Sequence, residues 1–271
     1  MRGINENFVE DLKNGELAYF LEQVKSESNK LCLAIRKNYI NIYFRGGNLL
    51  KISQKRDGYS FDFDARYCLN KGDDSKHALL SGSSSADREN YEKNFHLMMA
   101  EMDAWFDKHP KPEREFQHQL FLQNPEVVDI EYQIGGKIRL DMLCLFEGQL
   151  YIVENKYGES SIGGEAGLAK HYEDICRILD DTHLLNSIRK SVDNISRIKR
   201  DLGLPAPGLN LDFNKFPKIL FLFADYNKKS LMISKELEKI SYLCPAEYIV
   251  LDKDEYVIYI NDAKNLFSYG S

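Results

Sequence analysis

Asp141, Glu154 and Lys156 are the residues of this chain whose types and spacing could do chemistry. They lie in R-L-D-M-L-C-L-F-E-G-Q-L-Y-I-V-E-N-K, from Arg139 to Lys156, which reads as two short strands joined by a tight turn. Strand side chains alternate faces, so Glu154 and Lys156 share a face with Ile152, while Val153 and Asn155 face the other way. Asp141 falls opposite Glu154 if the turn is at Glu147-Gly148. Mg2+ takes oxygen ligands at about 2 Å and keeps several waters. Asp141 and Glu154 could supply two such ligands and the Val153 carbonyl a third. The ion would acidify a bound water and neutralise phosphate charge. Lys156 could orient or deprotonate that water, or stabilise the pentavalent state. An acid followed by E-x-K is common by spacing alone. Here the charges interrupt otherwise apolar strands, and a charge in an apolar run needs a partner or a metal. Hydrolysis of a phosphodiester assisted by Mg2+ or Mn2+ is the expectation, set against acids that merely form salt bridges.

Several elements must position these residues. Phe8, Leu12, Leu17, Phe20, Leu21 and Val24 recur at helical spacing over 4–30. Three strands follow: one around Tyr39 to Phe44, one over Leu49 to Ser53 after a turn at Gly46-Gly47-Asn48, and Y-S-F-D-F-D. Residues 71–90 are polar, lack periodicity and read as a loop or boundary. A long helix is expected over 89–107, stopped by His109-Pro110-Lys111-Pro112. Pro112 then opens the next helix, which Asn124-Pro125 ends. Beyond the hairpin come a glycine-rich bend, helices over 166–180 and 183–201, an apolar strand K-I-L-F-L-F-A, a short helix at 234–240, and strands near 247–251 and 255–260. The expected fold is α/β, a mixed sheet flanked by helices (89–271) and preceded by a small α+β module (1–88).

The hairpin with its upstream helix resembles the PD-(D/E)XK nuclease superfamily, over residues 113 to 176. Asp141 matches that family's hairpin aspartate, and Glu154-Asn155-Lys156 its E-x-K. P-E-R-E-F-Q-H-Q-L is similar to the helix of the Holliday-junction resolvase branch. The resemblance implies a restriction-endonuclease-like core. It also implies Glu113 as the helix glutamate, metal held by Glu113, Asp141, Glu154 and the Val153 carbonyl, and catalysis by these acids with Lys156. Glu115 is the runner-up for the helix position; it lies about 200° round the helix, so both cannot serve. Leu140 stands where the family's naming proline would be. The following helix, G-L-A-K-H-Y-E-D-I, offers Lys170, His171 and Tyr172 to the site, without the Q-x-x-x-Y pattern of the RecB-like branch.

DNA is the expected partner, ahead of RNA, and the sequence leaves endonuclease and exonuclease action both open. A net charge of -6 opposes a nonspecific DNA coat, although a local positive groove is compatible with it. Such a groove could use Arg36, Lys37, Arg45, Lys51, Lys55 and Arg56, which interleave with Tyr39, Tyr43 and Phe44. The same module is a candidate surface for self-association. The alternative to a nuclease is a catalytically inactive nucleic-acid-binding or protein-interaction protein of the same fold. Five scattered cysteines without C-x-x-C read as reduced thiols, and no secretory h-region or membrane-length apolar run is present, so a cytoplasmic protein is expected. His118, next to the proposed acid helix, reads as a surface or packing residue more than a cleft residue.

Overall fold

The computed structural model describes residues 1–67, 88–134, 138–158, 162–163, 167–226, 232–252 and 254–268. Most of the polar 71–90 stretch, much of the glycine-rich bend and Cys68 lie outside the described residues. The chain forms two compact units, Arg2–Leu122 with Ile198–Leu204, and Gln123–Arg197 with Pro205–Ser271 and Met1. Together they give an α/β architecture, a mixed sheet flanked by helices and preceded by a small β-rich module.

In the N-terminal unit the amphipathic start becomes two helices, α1 (Glu6–Lys13) and α2 (Ala18–Ser26). The single helix expected over 4–30 breaks at Gly15. A Cβ there would lie 2.5 Å from Asp11 Oδ1 and 2.7 Å from Asp11 Cα, so the chain turns where only glycine fits. A four-stranded antiparallel sheet follows in sequence order: β1 (Leu31–Ile35), β2 (Tyr39–Phe44), β3 (Gly47–Lys55) and β4 (Gly58–Asp62). The β2–β3 turn is Arg45-Gly46, both at positive φ, as a tight hairpin turn demands. The helix expected over 89–107 is two pieces, α3 (Arg88–Lys93) and α4 (Phe95–Lys108), separated at Asn94. Asn94 turns its side-chain amide onto the Asn90 carbonyl at 2.9 Å, the local competition that makes asparagine a poor helix-interior residue. Helix α5 (Pro112–Gln123) opens on Pro112, as its fixed φ favours.

The C-terminal unit holds a six-stranded sheet in the order β10-β9-β8-β7-β6-β5. Strands β5 (Val127–Ile134), β6 (Ile138–Phe146) and β7 (Gln149–Tyr157) are antiparallel, and β8 (Lys218–Ala224) and β9 (Ala246–Val250) continue parallel from β7. Helices α6 (Leu168–Asp180) and α7 (Thr182–Asp201) connect β7 to β8, and α8 (Met232–Leu237) connects β8 to β9. These are the crossovers that parallel pairs require. Strand β8 is buried along almost its whole length, consistent with its continuous apolar run. The strand expected at 255–260 is absent. The Asn124 side chain donates to Tyr256 O at 2.6 Å and accepts from Ile258 N at 2.7 Å, so an amide takes the backbone groups that a ladder would use. The edge strand on the β9 side is β10 (Lys264–Asn265), two residues long; β5 forms the other edge.

Candidate functional site

The turn between β6 and β7 is Glu147-Gly148, with φ of 49° and 77°. It sets a register in which Met142 faces Val153 and Phe146 faces Gln149. That register carries Asp141 to the level of Glu154. The ladder ends there, and the Asp141 side chain takes over: its Oδ2 accepts the Asn155 backbone N–H at 3.0 Å. Glu154 and Lys156 share a sheet face, and Lys156 Nζ donates to Glu154 Oε1 at 3.0 Å. Both side chains are buried, 4% and 6% exposed. His171, in the first turn of α6, places Nδ1 2.8 Å from the same Oε1.

A carboxylate in an apolar strand resists ionisation unless something holds its charge. Burial pushes the Glu154 pKa up, and the His171 hydrogen bond and the Lys156 charge overcome it, leaving the carboxyl below its usual range. The ionised Glu154 can only accept, so the proton between it and His171 belongs to Nδ1. One oxygen of Glu154 thus serves a buried ammonium and an imidazole together.

Of the three residues that α6 was expected to present, His171 alone reaches Glu154. Lys170 pairs with Asp174 at the surface. Tyr172 is buried, donates to Cys244 O and accepts the Leu243 and Cys244 N–H groups, all at 2.8 Å. One turn on, Cys176 is disulfide-bonded to Cys244. This corrects the expectation of reduced thiols at these two positions. No local spacing could have revealed the pair, because 68 residues separate its members. Cys32 and Cys144 are buried and not disulfide-bonded. On the other face of β7, the Asn155 side chain is 2% exposed, and neither of its amide atoms has a partner among the described residues.

Glu113 is exposed in the first turn of α5 and belongs to the N-terminal unit. Glu115 accepts Arg45 Nε and Nη2 at 3.0 and 2.8 Å. The metal-dependent reading is overturned. Among the described residues no three His, Cys, Asp or Glu side chains are grouped so as to hold a metal ion. The expected set of Glu113, Asp141, Glu154 and the Val153 carbonyl therefore does not stand as a Mg2+ or Mn2+ centre. With it goes the Mg2+- or Mn2+-dependent nuclease, endonucleolytic or exonucleolytic, in which Lys156 would assist a metal-bound water. The physical reason is occupancy by protein groups: Glu154 Oε1 is held by Lys156 and His171, and Asp141 Oδ2 by a backbone amide.

The candidate basic stretch of the N-terminal unit is partly internal as well. Arg36 is 4% exposed and donates to Tyr43 OH at 3.2 Å. Arg45 is held by Asp103, Asp107 and Glu115. Lys37, Lys55 and Arg56 are exposed. His118 is buried, with Nε2 2.8 Å from Lys30 O and Nδ1 3.5 Å from Cys32 Sγ.

The loop from Leu204 to Pro217 also exposes large apolar side chains. Leu209, Phe213 and Phe216 are 60%, 47% and 49% exposed. The loop is nevertheless tied down. The Asp212 N–H donates to Gly148 O, Lys215 Nζ to Glu147 O, Gln149 Nε2 to Phe216 O, and Arg189 Nη2 to Lys215 O, at 2.7–3.0 Å. The signal was present in L-N-L-D-F-N-K-F-P, where large apolar residues stand in a segment without strand or helix periodicity.

No family model matches this chain, and no curated protein or solved structure matches it either. Among the described residues no helix is long and apolar enough to cross a membrane.

Proposed function

We propose that this chain is a protein-interaction module built on a restriction-endonuclease-like core. The order of helix, three antiparallel strands, helices and parallel strand supports that finer reading of the fold, as does the E-x-K pair at the end of β7. The hairpin acids then serve as internal struts. Glu154, Lys156 and His171 join β7 to the start of α6, and Asp141 ties the end of β6 to the β7 backbone.

The observation that carries the interaction reading is the pinned apolar loop. Large apolar side chains scattered singly on a surface are ordinary; three of them within one short loop mark a contact site. The four hydrogen bonds hold the loop to the β6–β7 turn and α7, so little ordering entropy is left to lose on binding. Aromatic residues in such a position make good anchors.

The test is photocrosslinking in cells that express the chain, from a photoreactive phenylalanine analogue at position 213. A discrete protein adduct, lost when Leu209 and Phe216 are both changed to Ser, supports the reading. No adduct, together with retention of labelled duplex or branched DNA by the purified chain, overturns it in favour of nucleic-acid binding.

A further inference from the structure

The outer edge of β9 is only half covered. Strand β10 pairs with Glu247 and Tyr248 and stops there. In the parallel ladder alternate residues bond to the neighbouring strand. The Leu251 N–H bonds to Phe223 O on the β8 side at 2.8 Å. The N–H and C=O of Val250 therefore point the other way, off the edge of the sheet. Among the described residues neither has a hydrogen-bond partner, and the Val250 side chain is 45% exposed. An edge strand usually has its unpaired groups blunted or covered, because they template another strand.

This open edge lies in a groove of about 480 Å³ whose lining includes Val250, Glu255, Val257, Tyr259, Asp262 and Lys264. Tyr259 is 59% exposed, a ring available for stacking. The groove's charge has a sign. Glu255 and Asp262 line it with Lys264 as the opposing cation, and beside it in sequence stand the exposed Asp252 and Asp254, with Lys253 between them, so acids outnumber cations. Glu255 keeps its place by accepting the Asp252 N–H at 3.1 Å.

We infer that the β9 edge binds an extended, lysine- or arginine-rich peptide segment of a partner protein, whose backbone bonds to Val250 where β10 stops. The N–H and C=O of Val250 supply the backbone bonds. Alternate side chains then fall toward Tyr259 and Val257 on one face, and basic ones meet Glu255 and Asp262. The site is separate from the 209–216 loop and does not depend on it.

The test uses three synthetic probes of about eight residues, a typical strand length. One alternates Lys with Val, one alternates Glu with Val, and one is the Lys-Val peptide with alternate backbone amides N-methylated. Affinity is read by fluorescence anisotropy on the full chain, with hydrogen exchange at the Val250 amide as the local readout. The expected result is binding of the Lys-Val peptide alone, protection of Val250, and about tenfold weaker binding in the Asp262→Lys, Glu255→Gln variant. Glu255→Gln retains an acceptor for the Asp252 N–H, so the turn is preserved. Equal binding of the acidic peptide overturns the proposal. So does binding that survives N-methylation or the double substitution, or an absence of binding by all three probes.

Discussion

Two clusters of charge, one in each unit, invite comparison. On β7 and α6, Glu154 is held by Lys156 and His171, with the acid and the lysine 4% and 6% exposed. In the N-terminal unit Arg45 is held by Asp103, Asp107 and Glu115, with the arginine 28% and the acids 34–72% exposed. The second cluster has more ion pairs, yet the first is energetically the more consequential. Water solvates the Arg45 partners when a pair breaks, so an exposed pair contributes at most about 1 kcal/mol. Nothing replaces Lys156 beside a buried carboxylate. Burial rather than the number of partners decides what a charge does in this protein, and it gives the hairpin acids a structural assignment.

The largest test of that contrast is Lys156→Met. It leaves Glu154 charged and buried with only His171, and is expected to cost roughly 3–5 kcal/mol in urea denaturation. Adding Glu154→Leu removes the orphaned charge and should recover most of the loss. A single-variant cost under about 1 kcal/mol would place the β7 pair in the same class as Arg45.

Reduction of Cys176–Cys244 comes next. The bond closes a loop with a sequence separation of 68 residues and, with Tyr172, fastens α6 beside the segment that leads into β9. Loop-closure entropy puts its contribution at about 4 kcal/mol. Cys176→Ser, compared with wild type plus reductant, should show the same drop; unequal drops would mean that the serine itself perturbs α6.

A smaller effect separates the units by pH. Burial lowers the His118 pKa to about 4, while the Lys30 carbonyl acts to raise it. An unfolded histidine titrates near 6.5. Between these values the unfolded chain takes up a proton that the folded chain refuses, so stability falls as pH drops from about 6.5 to about 4, by roughly 3 kcal/mol. His118→Gln should flatten that window. Glu154 behaves differently. Its folded pKa lies below its ordinary value, so its contribution is present above the unfolded pKa of about 4.3 and is lost as pH falls through the lower folded value. Acid titration of wild type and His118→Gln, followed by intrinsic fluorescence, resolves the two. An unchanged slope between pH 6.5 and 4 in the variant would assign the loss elsewhere.

The smallest expected change is Arg45→Ala, at about 1 kcal/mol or less, and further reduced by salt. A loss as large as that of Lys156→Met would erase the distinction between the two clusters.

Much of the hairpin was legible in the sequence because strand geometry is strict. A period of two put Glu154 and Lys156 on one face, and the turn at Glu147-Gly148, on which the placing of Asp141 opposite Glu154 was conditional, is where the structure has it. Helices α5, α6 and α7 followed from spacing and from Pro112. The rest depended on contacts between distant residues. Asn124 replaces a strand at 255–260, Cys176 finds Cys244, and Arg45 gathers acids from α4 and α5. The chemistry misled for a related reason. Asp, Glu and Lys at these spacings suit a metal centre, but the same residues satisfy one another when a helix brings His171 to Glu154. Spacing reports which groups can meet, whereas the partners in the fold decide which charges remain for a ligand.

The most direct measurement is Mn2+ binding by the purified chain, by calorimetry and by thermal stability with about 1 mM ion. A site with a dissociation constant near 10 µM would raise stability by about 2.7 kcal/mol at that concentration. The expected result is no saturable binding and no stabilisation, with Asp141→Asn and Glu154→Gln indistinguishable from wild type in their response to the ion. Stoichiometric Mn2+ binding that both substitutions abolish would contradict it, and would show that the hairpin carboxylates exchange their internal partners for a metal.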